Sequence, residues 1–137
     1  VKAKHGQTSL EFLYSVGLML LIFILIALIF YQSQTDATNL SIDAESRRVC
    51  QLVSSQISAV FSSGHGTAAN LDLPALIAGK NYSVYVNGLN RSVSVSYGTR
   101  GTGCHFLTSN VTNGSSTSFF IGENSTVENV EGGVVIG

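Results

Sequence analysis

The sequence predicts an α+β fold: a long N-terminal α-helix, hydrophobic in its first half, whose C-terminal half packs on a small antiparallel β-sheet domain. Three observations predict it. Phe12 to Tyr31 is twenty residues without a charge. From Gln32 to Ser63 the chain has neither proline nor glycine, and its apolar residues recur at three- and four-residue steps. From Gly64 onward lie twelve of the fourteen glycines and several short runs that alternate apolar and polar residues.

The helix is read first. A run of twenty apolar residues at 1.5 Å per residue spans about 30 Å, the hydrocarbon core of a bilayer. Lys2, Lys4 and His5 precede the run and no basic residue follows it until Arg47. The positive-inside tendency puts the N-terminus in the cytoplasm and the rest outside. A cleaved secretory signal peptide has a shorter apolar region ending at a small-x-small site, which Phe30-Tyr31-Gln32-Ser33-Gln34 does not supply. Thr8-Ser9-Leu10-Glu11 reads as a capping box, with Glu11 reaching back to the Thr8 amide. A helix from Thr8 to Ser63 would be about 84 Å long. Leu40, Ala44, Val49, Leu52, Val53, Ile57, Val60 and Phe61 mark its apolar stripe, and Gly64-His65-Gly66 ends it.

Residues 64–137 form the expected head domain. Leu71 to Gly79 suits a short helical turn, with Asp72 as cap and Gly79 as stop. Tyr82–Val86 and Arg91–Tyr97, flanking Asn87-Gly88, give a hairpin signal, with Asn-Gly suited to a type I′ turn. Cys104–Leu107, Ser118–Ile121 and Val134–Ile136 are further candidate strands, and Gly98 to Gly103 reads as a flexible turn. Four or five antiparallel strands result. Cys50 and Cys104 are the only cysteines. In an exported chain such a pair reads as one disulfide, here tying helix to sheet.

Composition narrows function. Net charge is −1 and only 11% of residues are charged. No basic patch is visible, which argues against nucleic-acid binding. Cys50, Cys104, His65 and His105 have no metal-ligand spacing. Gly98-Thr99-Arg100-Gly101-Thr102-Gly103 lacks the lysine and strand-to-helix setting of a phosphate loop. No catalytic constellation stands out, so neither an enzyme nor a cofactor is expected. Arg47 and Arg48 read as a solvated face, with Asp43, Glu45 or a neighbouring subunit as available partners. Six N-x-Ser/Thr sequons occur, at Asn39, Asn81, Asn90, Asn110, Asn113 and Asn124. About two would arise by chance at this composition, and the excess predicts a glycosylated exterior.

The opening residues carry a resemblance. Lys4-His5-Gly6, then Gln7-Thr8-Ser9-Leu10-Glu11-Phe12, then a long apolar helix, resembles the archaeal type IV pilins that carry a class III signal peptide. The match is close over the first 31 residues and extends beyond them only to architecture. The resemblance implies a leader of residues 1–6, cut between Gly6 and Gln7 by a prepilin peptidase on the cytoplasmic face. It implies Glu11 as the fifth residue of the mature chain, pairing with the new amine of Gln7 within or between subunits, and Glu11 and Phe12 as assembly residues. The implied partners are identical subunits in a homopolymer, the pilus assembly machinery, and the membrane before assembly. The implied function is a structural subunit of an extracellular adhesion filament for surface or cell attachment. Bacterial pilins usually carry a proline in this helix, and archaellins a glycine-rich opening; this chain has neither. The Glu-Phe pair also resembles the start of bacterial Tad-type pseudopilins. A minor pseudopilin and a monomeric single-pass surface domain are the alternatives. The fate of Gly6-Gln7 and the presence of filaments separate them.

Overall fold

The computed structural model describes the backbone of residues 4–137 and the side chains from Ser9 onward. Val1, Lys2 and Ala3 of the expected leader lie outside the described residues. In chain order the elements are α1 (Lys4–Ser63), β1 (Ala68–Asp72), β2 (Ser83–Asn87), β3 (Ser92–Tyr97), β4 (Arg100–His105), β5 (Val111–Thr112), β6 (Ser118–Ile121), β7 (Asn124–Val130) and β8 (Gly133–Ile136). The fold is α+β, as the sequence predicts. The chain divides into two compact units, Val1–Leu40 and Ser41–Gly137.

The second unit holds two four-stranded sheets, ordered β1-β7-β8-β5 and β4-β3-β2-β6. This is more than the four or five strands expected. All pairings are antiparallel except β5 with β8, which is parallel. Buried side chains of Ser41–Ser63 and of both sheets form one hydrophobic cluster. From the helix come Ile42, Val49, Val53, Ile57 and Val60; β2 and β3 supply Val84, Val86, Val93 and Val95. Leu71, Val111, Val127, Val134 and Ile136 come from the other sheet. Fully burying one such aliphatic side chain is worth about 1.5–3 kcal/mol.

The expected stripe holds for Val49, Val53, Ile57 and Val60, with Phe61 packed beside them, and fails at Leu40, Ala44 and Leu52. Ile42, Ser46, Val49, Val53, Ile57 and Val60 face the core, whereas Leu40, Ala44 and Leu52 are exposed. The steps are three and four as expected, and the difference lies in the first turns, where Ile42 and Ser46 take the place of Leu40 and Ala44. Ser46 occupies a core position because its hydroxyl donates to the Ile42 carbonyl one turn back, at 2.7 Å. That bond removes the cost of an unpaired buried hydroxyl.

The helix stops at Ser63, and Gly64 follows with φ at +89°, a left-handed C′ position that glycine adopts without a Cβ penalty. This is the predicted stop. The helix start is not the predicted one. Helical backbone runs back to Lys4, so Thr8 lies inside the helix instead of at its N-cap, and the side chain that the expected capping box needs lies outside the described residues.

Three local readings are corrected. Residues 71–79 form no helix: Leu71 and Asp72 end β1, and Ile77 bridges Lys80 around a two-residue turn. Ala78 and Gly79 both have positive φ there, at +46° and +76°, the pattern of a type I′ turn. The β2–β3 hairpin forms, but Asn87 pairs with Ser92, so its loop has four residues and the left-handed one is Arg91. Gly88 is needed for a different reason: a Cβ there would collide with the Val111 carbonyl oxygen. Finally, Gly98 to Gly103 is a tight turn followed by β4. Tyr97 pairs with Arg100 around Gly98-Thr99, with Gly98 at +57°. Phe106 and Leu107 lie past the end of β4 at His105.

Candidate functional site

The first unit is a stretch of helix whose described side chains are nearly all exposed. Leu10, Phe12, Leu13, Tyr14, Met19, Phe23, Ile29, Phe30 and Tyr31 all project into solvent. The most apolar 18-residue window has none of its surface buried within the chain. By length and composition this helix suffices to cross a membrane, a property that anchors and signal sequences share. A helix apolar on every side is ordinarily covered, by protein or by lipid.

Three of its hydroxyls bond to the helix backbone one turn back. The Ser15 hydroxyl donates to the Glu11 carbonyl at 2.9 Å, and Thr35 and Thr38 donate to the Tyr31 and Gln34 carbonyls. Glu11 is exposed and is the only acidic residue before Asp36. The first helical turn holds no acidic residue, so Glu11 lies in the second turn, past the reach of the helix N-terminal charge. Phe12 is exposed beside it. Gly6 and Gln7 have helical backbone, and their side-chain surroundings lie outside what is described. Gly17 leaves a notch bordered by Leu10, Leu13, Tyr14, Leu18 and Leu21.

The second unit brings together pairs that sequence reasoning only partly found. Cys50 and Cys104 form the disulfide that the sequence predicts, with Cα atoms 5.9 Å apart, joining α1 to β4. The same helix makes polar contacts that no motif announced. The Tyr97 hydroxyl donates to the Asp43 carboxylate. That bond, made by the neutral phenol, is the main cause holding the Tyr97 pKa above 10.0. Arg100 stands 4.0 Å from the same carboxylate, an exposed pair of small energetic weight. Glu45 accepts the Ala78 amide at 2.7 Å and so holds the left-handed turn against the helix. Asp43 and Glu45 therefore bond to head residues rather than to Arg47 and Arg48, which are exposed.

At the other end of this helical segment, Asn129 is buried in β7. Its amide nitrogen donates to the Val60 and Phe61 carbonyls at 3.1 and 3.2 Å, and its oxygen accepts the Gly132 amide. The last carbonyls of a helix lack intrahelical donors, and Asn129 supplies one. His65 accepts the Glu131 amide through Nδ1 at 3.0 Å. The only advance signal for Asn129 was its alternation with Val127, hidden by its polarity.

Five sequon asparagines, Asn81, Asn90, Asn110, Asn113 and Asn124, are exposed, and Asn39 is half-buried. A groove of about 430 Å³ runs between Glu45, Arg48 and Leu52 of the helix and the Asp72–Ile77 segment. Among the described residues no group of three His, Cys, Asp or Glu side chains converges to hold a metal ion. No known protein family, curated protein or solved structure matches the chain.

Proposed function

We propose that this chain is the structural subunit of an extracellular filament built like an archaeal type IV adhesion pilus. The observation that carries the reading is a juxtaposition. The Gly6-Gln7-Thr8-Ser9-Leu10-Glu11-Phe12 junction runs without a break into a helix that is apolar on all sides and unburied within its own chain. The same helix continues into a disulfide-tied head. Such a helix has two suitable hosts, lipid before assembly and the helices of identical subunits after it. Transfer between them changes little apolar area in water, so helix–helix packing supplies the driving force.

Cleavage between Gly6 and Gln7 gives Glu11 its role in this reading. In the uncut chain Glu11 is past the first turn. Removing residues 1–6 brings the helix N-terminus and a new α-amine to within four residues of the carboxylate. Both are positive, and either compensates an acidic group in apolar surroundings. The outer residues then lie beyond the membrane and the filament forms at the cell surface.

Intact mass and N-terminal sequencing of the native protein, with electron microscopy of surface material, test the proposal. The expected result is a chain that begins at Gln7 and is found in filaments. Mature surface chain that retains Lys2 to Gly6 and forms no filaments supports the monomeric anchored domain instead. Glu11→Ala is expected to leave membrane insertion intact and to reduce filament yield at least tenfold.

A further inference from the structure

The six sequons are equal in sequence and unequal in geometry. N-linked transfer uses two side chains of the acceptor: the asparagine amide and the hydroxyl two residues on. Both must face one catalytic centre. A helix points residues i and i+2 to different sides, whereas an extended strand points them to the same side.

Asn39 and Ser41 sit within α1, and Asn39 is half-buried. Asn110 is exposed at its rim, yet its amide nitrogen rests on the start of β8. A Cβ on Gly133 would fall 2.6 Å from that nitrogen. The residue inside this sequon, Val111, is fully buried, and the Val134 amide donates to the Asn110 carbonyl at 2.8 Å. It is the acceptor nitrogen itself that is packed against backbone here, where a transferase would need to reach it.

The other four differ. Asn124 and Thr126 are alternate residues of β7 and both are exposed, the Thr126 hydroxyl donating to the Gly137 carbonyl at 3.2 Å at the surface. Asn113 and Ser115 are exposed in the turn closed by the Asn113–Ser116 bridge. Asn81 and Ser83 are exposed at the entry to β2. Asn90 is exposed in the β2–β3 loop, two residues before Ser92 opens β3.

We infer that the chain carries N-linked glycans at Asn81, Asn90, Asn113 and Asn124, and none at Asn39 or Asn110. The donor is a lipid-phosphate-linked oligosaccharide. A bond forms between the asparagine amide nitrogen and the anomeric carbon. The bond from that carbon to the phosphate oxygen breaks, the lipid phosphate leaves with the electron pair, and the amide loses one proton to a base. All four sites lie at strand ends or turns. They leave bare the outward face of the β4-β3-β2-β6 sheet, where Tyr85 and Phe120 pack with ring centres 5.1 Å apart. The inference rests on the exported topology of the proposed function.

Site-resolved mass spectrometry of glycopeptides from the native protein tests it, with fragmentation that separates Asn110 from Asn113. The expected result is sugar on the four named asparagines and unmodified Asn39 and Asn110. In intact mass, Asn113→Gln removes one glycan and Asn110→Gln removes none. Sugar on Asn110 or Asn39, or none on the four, overturns the inference. The N-terminus is read from the same digest. A sugar-free chain beginning at Gln7 in filaments therefore overturns only the glycan assignment. A glycosylated chain retaining its leader overturns only the filament reading.

Discussion

The Asn129 amide, buried in β7, donates to the Val60 carbonyl at 3.1 Å and so joins the last turn of the helix to the centre of a sheet. It also bonds the Phe61 carbonyl and accepts from Gly132, so one side chain fixes the helix end and the β7–β8 turn together. Asn129→Ala leaves these buried groups unpaired. Each costs about 1–3 kcal/mol when stranded, so the loss should exceed that of any exposed polar substitution. Urea unfolding of the detergent-solubilised chain, with Asn70→Ala as the exposed control, measures it.

The Cys50–Cys104 bridge spans a sequence separation of 54 residues. In the chain-entropy account, closing a loop of that size stabilises by about 4 kcal/mol. The Cys50→Ala/Cys104→Ala double variant should therefore unfold at much lower denaturant than the oxidised protein. Reduction of the native protein should reproduce the shift, and reducing agent should leave the double variant unchanged.

Tyr97 makes the head sensitive to alkaline pH. Donation to Asp43 is the first cause of its raised pKa, with burial second. The folded value lies above the unfolded one. The contribution is therefore fully present below pH 10.0 and is lost as pH rises through the folded value. Tyr97→Phe should lower stability at neutral pH and flatten the alkaline decline. Tyr82, whose pKa burial and then Glu123 also raise, retains a decline of the same sign. Unfolding midpoints across pH, with phenolate absorbance followed in parallel, separate the two tyrosines.

Two glycines make a paired test of backbone freedom against space. Gly98 has φ at +57° and open surroundings, so Gly98→Ala should cost about 1 kcal/mol from backbone strain alone. Gly88 is not left-handed, but its Cβ would strike the Val111 carbonyl oxygen, and the Gly88 amide is bonded to the Thr117 carbonyl. Gly88→Ala forces backbone apart and should cost more, about 1–3 kcal/mol. Thermal unfolding of the two variants gives the order.

The strands that could be read in advance are those rich in β-branched or aromatic residues, such as β3 and β6. In β3, Val93 and Val95 alternate with Ser92, Ser94 and Ser96, and the hairpin signal is direct. In β7 the inward positions are Val127 and Asn129, so the buried asparagine breaks the apolar alternation and hides the strand. In β1 only Leu71 is both large and buried, and β5 is two residues long. Local pattern carries too little information in such segments. The 71–79 stretch failed differently: its leucines and alanines favour helix, but Leu73 and Ile77 are taken by the core and the chain turns at Ala78-Gly79.

The sequence by itself determined that one long helix opens the chain, its apolar first half, its stop at Gly64 and, with only two cysteines present, which two would pair. These follow from composition, period and a backbone preference, all local properties of the chain. Only the tertiary structure decided that Ile42 and Ser46, and not Leu40 and Ala44, face inward on the first turns of Ser41–Ser63, because the few apolar residues there leave the phase open until a sheet meets the helix. It also placed Ser46, Asn129, Asp43 and Glu45 where their hydrogen bonds are made. A polar side chain is stable in a core only when a partner stands within bonding distance, and that partner comes from residues far away in the sequence.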